Sequence, residues 1–334
     1  MPLYHTKVYG IVQGVGFRPF VARLAARFQI TGSVCNKGPY VEIFVQGTEA
    51  AATDFFTALE AEPPERSAIL KVDTQPWNET ENYQQFTIIE SEKERGDIFV
   101  SPDIATCDQC RTELFDPQDR RYLHPFINCT ACGPRLTILD SMPYDRERTS
   151  MGEFPMCGNC HEEYVSPETR RYDAQPVCCN DCGPEVYLIG EEDIRGAAAI
   201  TRTRQMIAAG GIVAIKGIGG FHLCCDASNT TAIARLRRLK HRPVKPFAIM
   251  ARDMTAVQRE CLLDDGAEAM LTGHQKPILL LRRRPDGQLS KLTAPGNPKI
   301  GIMLPYAPIQ MLLFDYPDAI TMPDTLIMTS GNPA

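Results

Sequence analysis

Eight cysteines in C-x2-C pairs carry the clearest chemistry in this sequence: Cys107/Cys110, Cys129/Cys132, Cys157/Cys160 and Cys179/Cys182. Within each half 18 residues separate the two pairs, and 24 separate the halves. The second half repeats the first at an offset of 50, with Arg120-Arg121-Tyr122 mapping to Arg170-Arg171-Tyr172 and Cys129 through Pro134 mapping to Cys179 through Pro184. Two cysteines three apart in a tight turn aim both thiolates at one ion, and a second such turn completes a tetrahedral shell of four sulfurs. The Gly-Pro after Cys132 and after Cys182 helps turn the chain at the knuckle. The pattern predicts two structural zinc sites, paired sequentially because each half repeats as a unit; cross-braced pairing stays open. Such closed sites fold a chain rather than activate water, and each contributes on the order of 10 kcal/mol. A disulfide framework and an iron–sulfur cluster are the rival readings, and the regular spacing disfavours both. His124 and His161 are expected at the surface or behind the ligands.

The second constellation is the loop Gly10-Ile11-Val12-Gln13-Gly14-Val15-Gly16-Phe17-Arg18. Glycines allow consecutive backbone N–H groups to point at one anion, and a following helix adds its positive end. The candidate cradle is Gln13, Gly14, Val15, Gly16 and Phe17, with the Arg18 fork able to hold two phosphoryl oxygens. No Walker lysine-serine follows, so this is not a nucleotide P-loop. On the residues alone, a structural turn and an anion cradle both remain open.

Two further groups could hold phosphates. Lys240-His241-Arg242 sits at a predicted helix end, where the charges read either as a solvated face or as a triphosphate clamp. Ser330-Gly331-Asn332 ends a predicted strand, where α/β folds place ligand contacts. Lys216 opens a glycine-rich loop expected to face the same cleft.

The elements that must position these groups follow from periodicity. Residues 1–91 read strand, helix, strand, strand, helix, strand, strand. Phe17, Phe20, Val21, Leu24 and Phe28 share one face of the first helix, and Phe55, Phe56 and Leu59 share one of the second. Residues 91–106 read as a polar connector. Beyond Pro184 the pattern turns α/β, with helices at 197–209 and 230–240 and strands near 212–215, 247–250, 278–281, 300–304 and 326–329. On the 230–240 helix, Ile233, Leu236 and Leu239 are expected inward, with Arg235, Arg237, Arg238 and Lys240 outward.

The motif G-x-V-x-G-V-G-F-R, followed by the strand Gly32-Ser33-Val34-Cys35-Asn36, resembles the acylphosphatase family over residues 3–91. The resemblance implies a ferredoxin-like sandwich in which Arg18 binds the phosphoryl group and Asn36 orients the attacking water. Residues 198–334 resemble the YrdC-like family, which makes carbamoyl-type adenylates. There K-x-R and S-x-N signatures match Lys240/Arg242 and Ser330/Asn332, and Lys216 joins them as an ATP/carbamate residue.

The order of modules is similar to that of the hydrogenase-maturation carbamoyltransferases. The resemblance implies three parts: an acylphosphatase-like domain (1–91), a double C4-type zinc-finger domain (92–190) and a YrdC-like twisted α/β nucleotide-binding sheet (191–334). It also implies a relay. Carbamoyl phosphate is cleaved to carbamate and phosphate, and carbamate is adenylated with ATP, with Mg2+, to carbamoyl-AMP. The carbamoyl group then passes to the C-terminal cysteine of a partner, HypE. A transferase domain is not found in this sequence, so the expectation is a fragment or short form, with the YrdC-like part unfinished and the last transfer step missing.

Composition sets outer limits. Net charge is −6 and no run of 18 apolar residues occurs, which argues against a broad nucleic-acid footprint and against a membrane span. Thirteen cysteines without a signal-peptide core suggest a reducing cytoplasm. Two alternatives stand beside the relay: a stand-alone acylphosphatase with a zinc-ribbon binding module, and a threonylcarbamoyl-adenylate synthase of tRNA modification.

Overall fold

Residues 1–78, 82–89, 91, 101–190 and 194–332 are described by a computed structural model of the protein. Its contacts divide the chain into two units, each built from two stretches. The first comprises Met1–Asp103 with Asn128–Gly183, and the second Ile104–Ile127 with Pro184–Ala334. Most of the expected polar connector, 92–100, lies outside the described residues.

The first unit begins β1 (Leu3–Ile11), α1 (Phe17–Arg27), β2 (Thr31–Asn36), β3 (Tyr40–Gln46), α2 (Glu49–Ala61), β4 (Ala68–Pro76) and β5 (Phe86–Ile88). This is the element order expected from periodicity. The sheet runs β4-β1-β3-β2-β5, with β1 antiparallel to both β3 and β4, and β2 parallel to β5. Period-two alternation sends Val8, Val34, Val41, Ile43 and Val45 to the face that meets Phe17, Val21 and Leu24 of α1 and Phe55 and Leu59 of α2. Each fully buried aromatic or leucine of that set stabilises by about 1.5–3 kcal/mol through area removed from water. Thr48 caps α2 by accepting from Ala51 N at 3.3 Å. The result is the ferredoxin-like sandwich.

Short helices follow the first cysteine of each half of the repeat. These are α3 (Asp108–Phe115) in the second unit and α4 (Gly158–Val165) in the first. The turn after each closes with the same bond, Leu123 N to Leu114 O and Asp173 N to Tyr164 O, both at 2.8 Å.

The second unit continues with β6 (Tyr187–Leu188), β7 (Ile194–Arg195), α5 (Gly196–Ala208), β8 (Val213–Lys216), β9 (Phe221–Asp226), α6 (Thr230–Leu239) and β10 (Ala248–Ala251). It ends with α7 (Met254–Glu260), β11 (Cys261–Leu262), α8 (Ala267–Thr272), β12 (Leu279–Arg283), β13 (Lys299–Met303), α9 (Pro308–Phe314) and β14 (Thr325–Ser330). Seven strands form one mixed sheet, β11-β12-β13-β10-β14-β9-β8. Successive residues feed two separate cores. Ile249, Ile302 and Ile327 pack with α6, while Met250, Met303, Leu326 and Met328 pack with residues of α5 and α9. A sheet covered on both faces reads as a continuous apolar run, which is why these strands showed no alternation.

One helix departs from expectation. On α6, Leu239 is 60% exposed, whereas Arg237 and Lys240 are buried at 7% and 6%. The Arg237 guanidinium turns inward because it donates to backbone carbonyls: Leu292 and Arg242 at 2.8 Å, and Pro243 and Lys245 at 3.2 Å. Strand β9 was also not anticipated from sequence. It earns its place by pairing with β8 on one side and β14 on the other. Among the described residues, no helix is long and apolar enough to cross a membrane.

Candidate functional site

In the first unit, β1 stops at Ile11 and the chain turns through Gly14 (φ 71°) and Gly16 (φ 77°) into α1. These backbone angles favour glycine, and they place the loop at the helix N-terminus. Phe17, 1% exposed, anchors the helix start in the core. Gln13 is buried and bridges two segments: its Nε2 donates to Gly38 O at 2.9 Å and its Oε1 accepts from Tyr144 N at 3.4 Å. The loop, Arg18 and Asn36 line one small open pocket, together with Thr130, Arg135, Tyr144 and Asp173–Pro176.

Arg18 is held firmly. Its Nη1 donates to Asp145 Oδ1 at 2.9 Å and to Ser91 Oγ at 3.0 Å, and its Nε lies 3.0 Å from Asp173 Oδ2. Burial works against its charge, but Asp173 and Asp145 outweigh that and hold the guanidinium more firmly protonated than an ordinary arginine. Burial pushes the Asp173 carboxyl above the usual carboxylate range, against the pull of Arg18 and with help from neighbouring Asp145.

Asn36 ends β2 at 1% exposure. Its Nδ2 reaches Tyr144 O at 3.5 Å, and its Oδ1 is buried with no hydrogen-bond partner among the described residues. An unpaired buried acceptor in a polar pocket suits a bound water.

Sequence reasoning missed Asp145, Asp173 and the role of Arg135. Arg135 is 1% exposed and donates to Cys129 O at 3.0 Å, Thr130 O at 2.9 Å, Cys132 O at 3.1 Å and Pro134 O at 2.8 Å, as well as to Gly14 O. It ties the glycine loop to the knuckle at 129–134. One signal was available: Asp173 breaks the 50-residue repeat, standing where the first half has Leu123.

The cysteines can be tested against zinc. Four sulfurs about 2.3 Å from one ion at tetrahedral angles lie about 3.8 Å apart. In the second half the Sγ separations are 3.8 Å for Cys157–Cys179, 3.8 Å for Cys179–Cys182 and 3.6 Å for Cys182–Cys160. The donor set fits, and it pairs sequentially within that half. In the first half, Cys129 and Cys132 Sγ are 3.7 Å apart. Cys107 precedes α3 with φ −76° and ψ 163°, matching Cys157 before α4 at −68° and 165°. None of the thirteen cysteines is in a disulfide. Cys178, buried beside Cys179, stands outside the ligand set, as do His124 and His161.

In the second unit the other predicted residues gather at one end of the sheet. Lys240 caps α6, and its Nζ donates to Ser330 O at 2.8 Å and Asn332 O at 2.7 Å. Burial, and then nearby Arg242, lower its affinity for the proton. Arg242 donates to Thr329 Oγ1 at 3.2 Å and Pro246 O at 2.7 Å, with its guanidinium 5.1 Å from the Phe247 ring centre. Lys216 ends β8 opposite Phe221, whose carbonyl accepts from Gly331 N at 2.7 Å. The Lys216 side chain is exposed and makes no hydrogen bond among the described residues, its Nζ lying 6.0 Å from the Phe221 ring centre.

Family models match along the whole chain in the order expected. The acylphosphatase model covers residues 4–88, the HypF finger model covers 106–139 and 156–189, and the Sua5/YciO/YrdC model, described as telomere recombination, covers 205–334. Each finger match contains one set of four cysteines. The carbamoyltransferase HypF2 of Cupriavidus necator and the carbamoyltransferase HypF of Synechocystis are each 44% identical over 98% of this chain. This chain is homologous to the HypF carbamoyltransferases. It spans about 42% of the length of these two HypF relatives. A solved full-length HypF, in a phosphate- and nucleotide-bound form, superimposes with a TM-score of 0.91 at 42% identity, covering 100% of this chain and 43% of that one. HypF from T. kodakarensis superimposes with a TM-score of 0.89.

Proposed function

We propose that this chain performs the opening steps of carbamoyl transfer in hydrogenase maturation: hydrolysis of carbamoyl phosphate, then adenylation of carbamate with ATP to carbamoyl-AMP for delivery to the C-terminal cysteine of HypE. The observation that carries the reading is the meeting of Arg18, Asn36, Gln13, Gly14, Gly16 and Phe17 in one pocket. The phosphoryl group sits against the loop N–H groups and the Arg18 guanidinium. Water held at Asn36 Oδ1 attacks phosphorus, the bond from phosphorus to the carbamoyl oxygen breaks, and carbamate leaves as an anion. The water gives up one proton, so the products are carbamate, hydrogen phosphate and a proton. An acyl phosphate already carries a good leaving group, so positioning and charge neutralisation suffice without a covalent nucleophile.

Zinc in both fingers holds the repeat folded; Cys107, Cys110, Cys129 and Cys132 bind one ion and Cys157, Cys160, Cys179 and Cys182 the other. At the second unit, Lys216, Lys240 and Arg242 offset the triphosphate charge of ATP, which arrives with Mg2+, and Ser330 and Asn332 contact the nucleotide or carbamate. The setting is the cytoplasm, where the thiols stay reduced. The names of the relatives and the nucleotide-bound HypF support this assignment. A stand-alone acylphosphatase or a tRNA-modifying synthase is not favoured, because the HypF likeness runs over 98% of the chain.

The test is phosphate release from carbamoyl phosphate by the zinc-loaded chain, with carbamoyl-phosphate-dependent ATP–pyrophosphate exchange as the second readout. Loss of release in Arg18→Ala and Asn36→Ala supports the assignment. Release that survives both substitutions overturns it.

A further inference from the structure

Resting on that phosphoryl reading, we propose that Asp173 is a positioning residue for the pocket: it holds Arg18 in line while the pocket is empty and yields Nε to the entering phosphoryl group, while Asp145 keeps its own hold on Nη1. The two carboxylates are placed differently. Asp173 lines the pocket wall and Asp145 does not. Both lie within 3.0 Å of the guanidinium, so a phosphoryl oxygen that needs Nε must displace Asp173.

The repeat shows that the carboxylate is not there to make the finger. Leu123 occupies the equivalent turn in the first half with φ 55°, against 56° at Asp173, and closes it with the same 2.8 Å backbone bond. An apolar side chain therefore serves the turn equally well. Ala174-Gln175-Pro176, which follow Asp173 along the same wall, also have different residues in the first half, His124-Pro125-Phe126. The second finger departs from its copy where it borders the pocket.

The charges around Asp173 decide how it leaves. Arg18 faces it from α1 and Asp145 from the segment before α4. The Tyr164 hydroxyl from α4 lies 3.4 Å from Oδ1, and Gln175 Nε2 donates to Oδ1 at 2.8 Å. Tyr172 is its neighbour in the chain, and Arg148 lies 3.5 Å from Asp145. A phosphoryl dianion entering beside two carboxylates that share one buried guanidinium is strongly repelled. Uptake of a proton by Asp173 relieves that repulsion, and burial already biases the carboxyl toward accepting it. Anion binding is then coupled to proton uptake and strengthens as pH falls.

Calorimetry on the zinc-loaded 334-residue chain tests this, using inorganic phosphate for affinity and sulfate, whose charge is constant between pH 5.5 and 8.5, for the pH slope. Asp173→Asn is expected to bind phosphate about tenfold tighter at pH 8, the effect of roughly one pK unit of removed competition, and to flatten the sulfate slope. Asp145→Asn, which loses the fixed anchor, is expected to weaken binding. Asp173→Leu copies the first half and replaces Asp173→Asn in the comparison should the latter lose zinc. Unchanged or weaker phosphate binding by a zinc-loaded Asp173 variant, with the slope intact, overturns the proposal. Arg18→Ala separates the two readings. If it binds phosphate as the parent does, the phosphoryl assignment itself fails; if it abolishes binding while the Asp173 variants match the parent, only the displacement fails.

Discussion

Arg18 Nη1 donates at 2.9 Å to Asp145, 127 residues further along the chain. The cation belongs to the N-terminal sandwich and the carboxylate to the segment between the fingers. The pocket beside Arg18 is therefore not a property of residues 1–91 alone: its floor comes from the glycine loop and β2, and its wall from 130–176. Arg18→Lys keeps a positive charge but loses the planar fork that reaches Asp145 and Asp173 at once. Phosphate release from carbamoyl phosphate is expected to fall about 100-fold or more in Arg18→Lys as in Arg18→Ala, the scale of losing one aimed donor to the transition state. Near-parent rates in Arg18→Lys would show that charge alone suffices.

Metal removal should act on folding before it acts on chemistry. The second cysteine set sits at zinc spacing, and the core around it is small, with Ala174 and Val177 as its fully buried non-cysteine members. Cys160→Ser is expected to lower zinc content by one ion per chain and to expose residues 150–183 to protease. Full zinc content in that variant contradicts the ligand assignment.

Arg135 joins the glycine loop to a knuckle through five backbone carbonyls. Arg135→Met keeps much of the side-chain volume but leaves those acceptors unsatisfied, at about 1–3 kcal/mol for each one that water cannot reach. The variant is expected to unfold at lower denaturant and to bind phosphate more weakly, while Phe55→Ala, in the sandwich core and outside the pocket lining, costs about 3–5 kcal/mol with phosphate affinity retained in the folded fraction. Chemical denaturation with parallel calorimetry distinguishes the two.

Stability should also carry a signature of Asp173. Its carboxyl binds a proton more readily in the folded chain than in the unfolded one. Its contribution is thus fully present below the unfolded value and is lost as pH rises through the folded value. Asp173→Asn has no such loss, so its melting temperature relative to the parent is expected to rise between pH 4 and pH 8. A pH-independent difference rules this out.

Buried thiols outside the zinc sets should be inert. Burial pushes Cys225 and Cys261 up to about 12. Neither is expected to react with iodoacetamide at pH 8 in the folded chain, and both should react in denaturant. Peptide mass spectrometry reads the modification site by site.

The cysteine repeat, the glycine loop and the apolar periods of α1, α2 and β1 were legible in the sequence, because each depends on spacing within a few residues and backbone geometry enforces it locally. What only the tertiary structure decided was where long polar side chains go. Arg237 sits on the face of α6 that periodicity assigned to solvent, yet it turns inward to donate to the carbonyl of Leu292 and to carbonyls of the turn just after the helix. Asp145 and Asp173 look like ordinary surface acids in a charged segment, and they become pocket residues because folding brings them to the Arg18 guanidinium. A hydrogen bond or ion pair depends on positions in space, and no local pattern in the chain encodes which buried charge will need a partner.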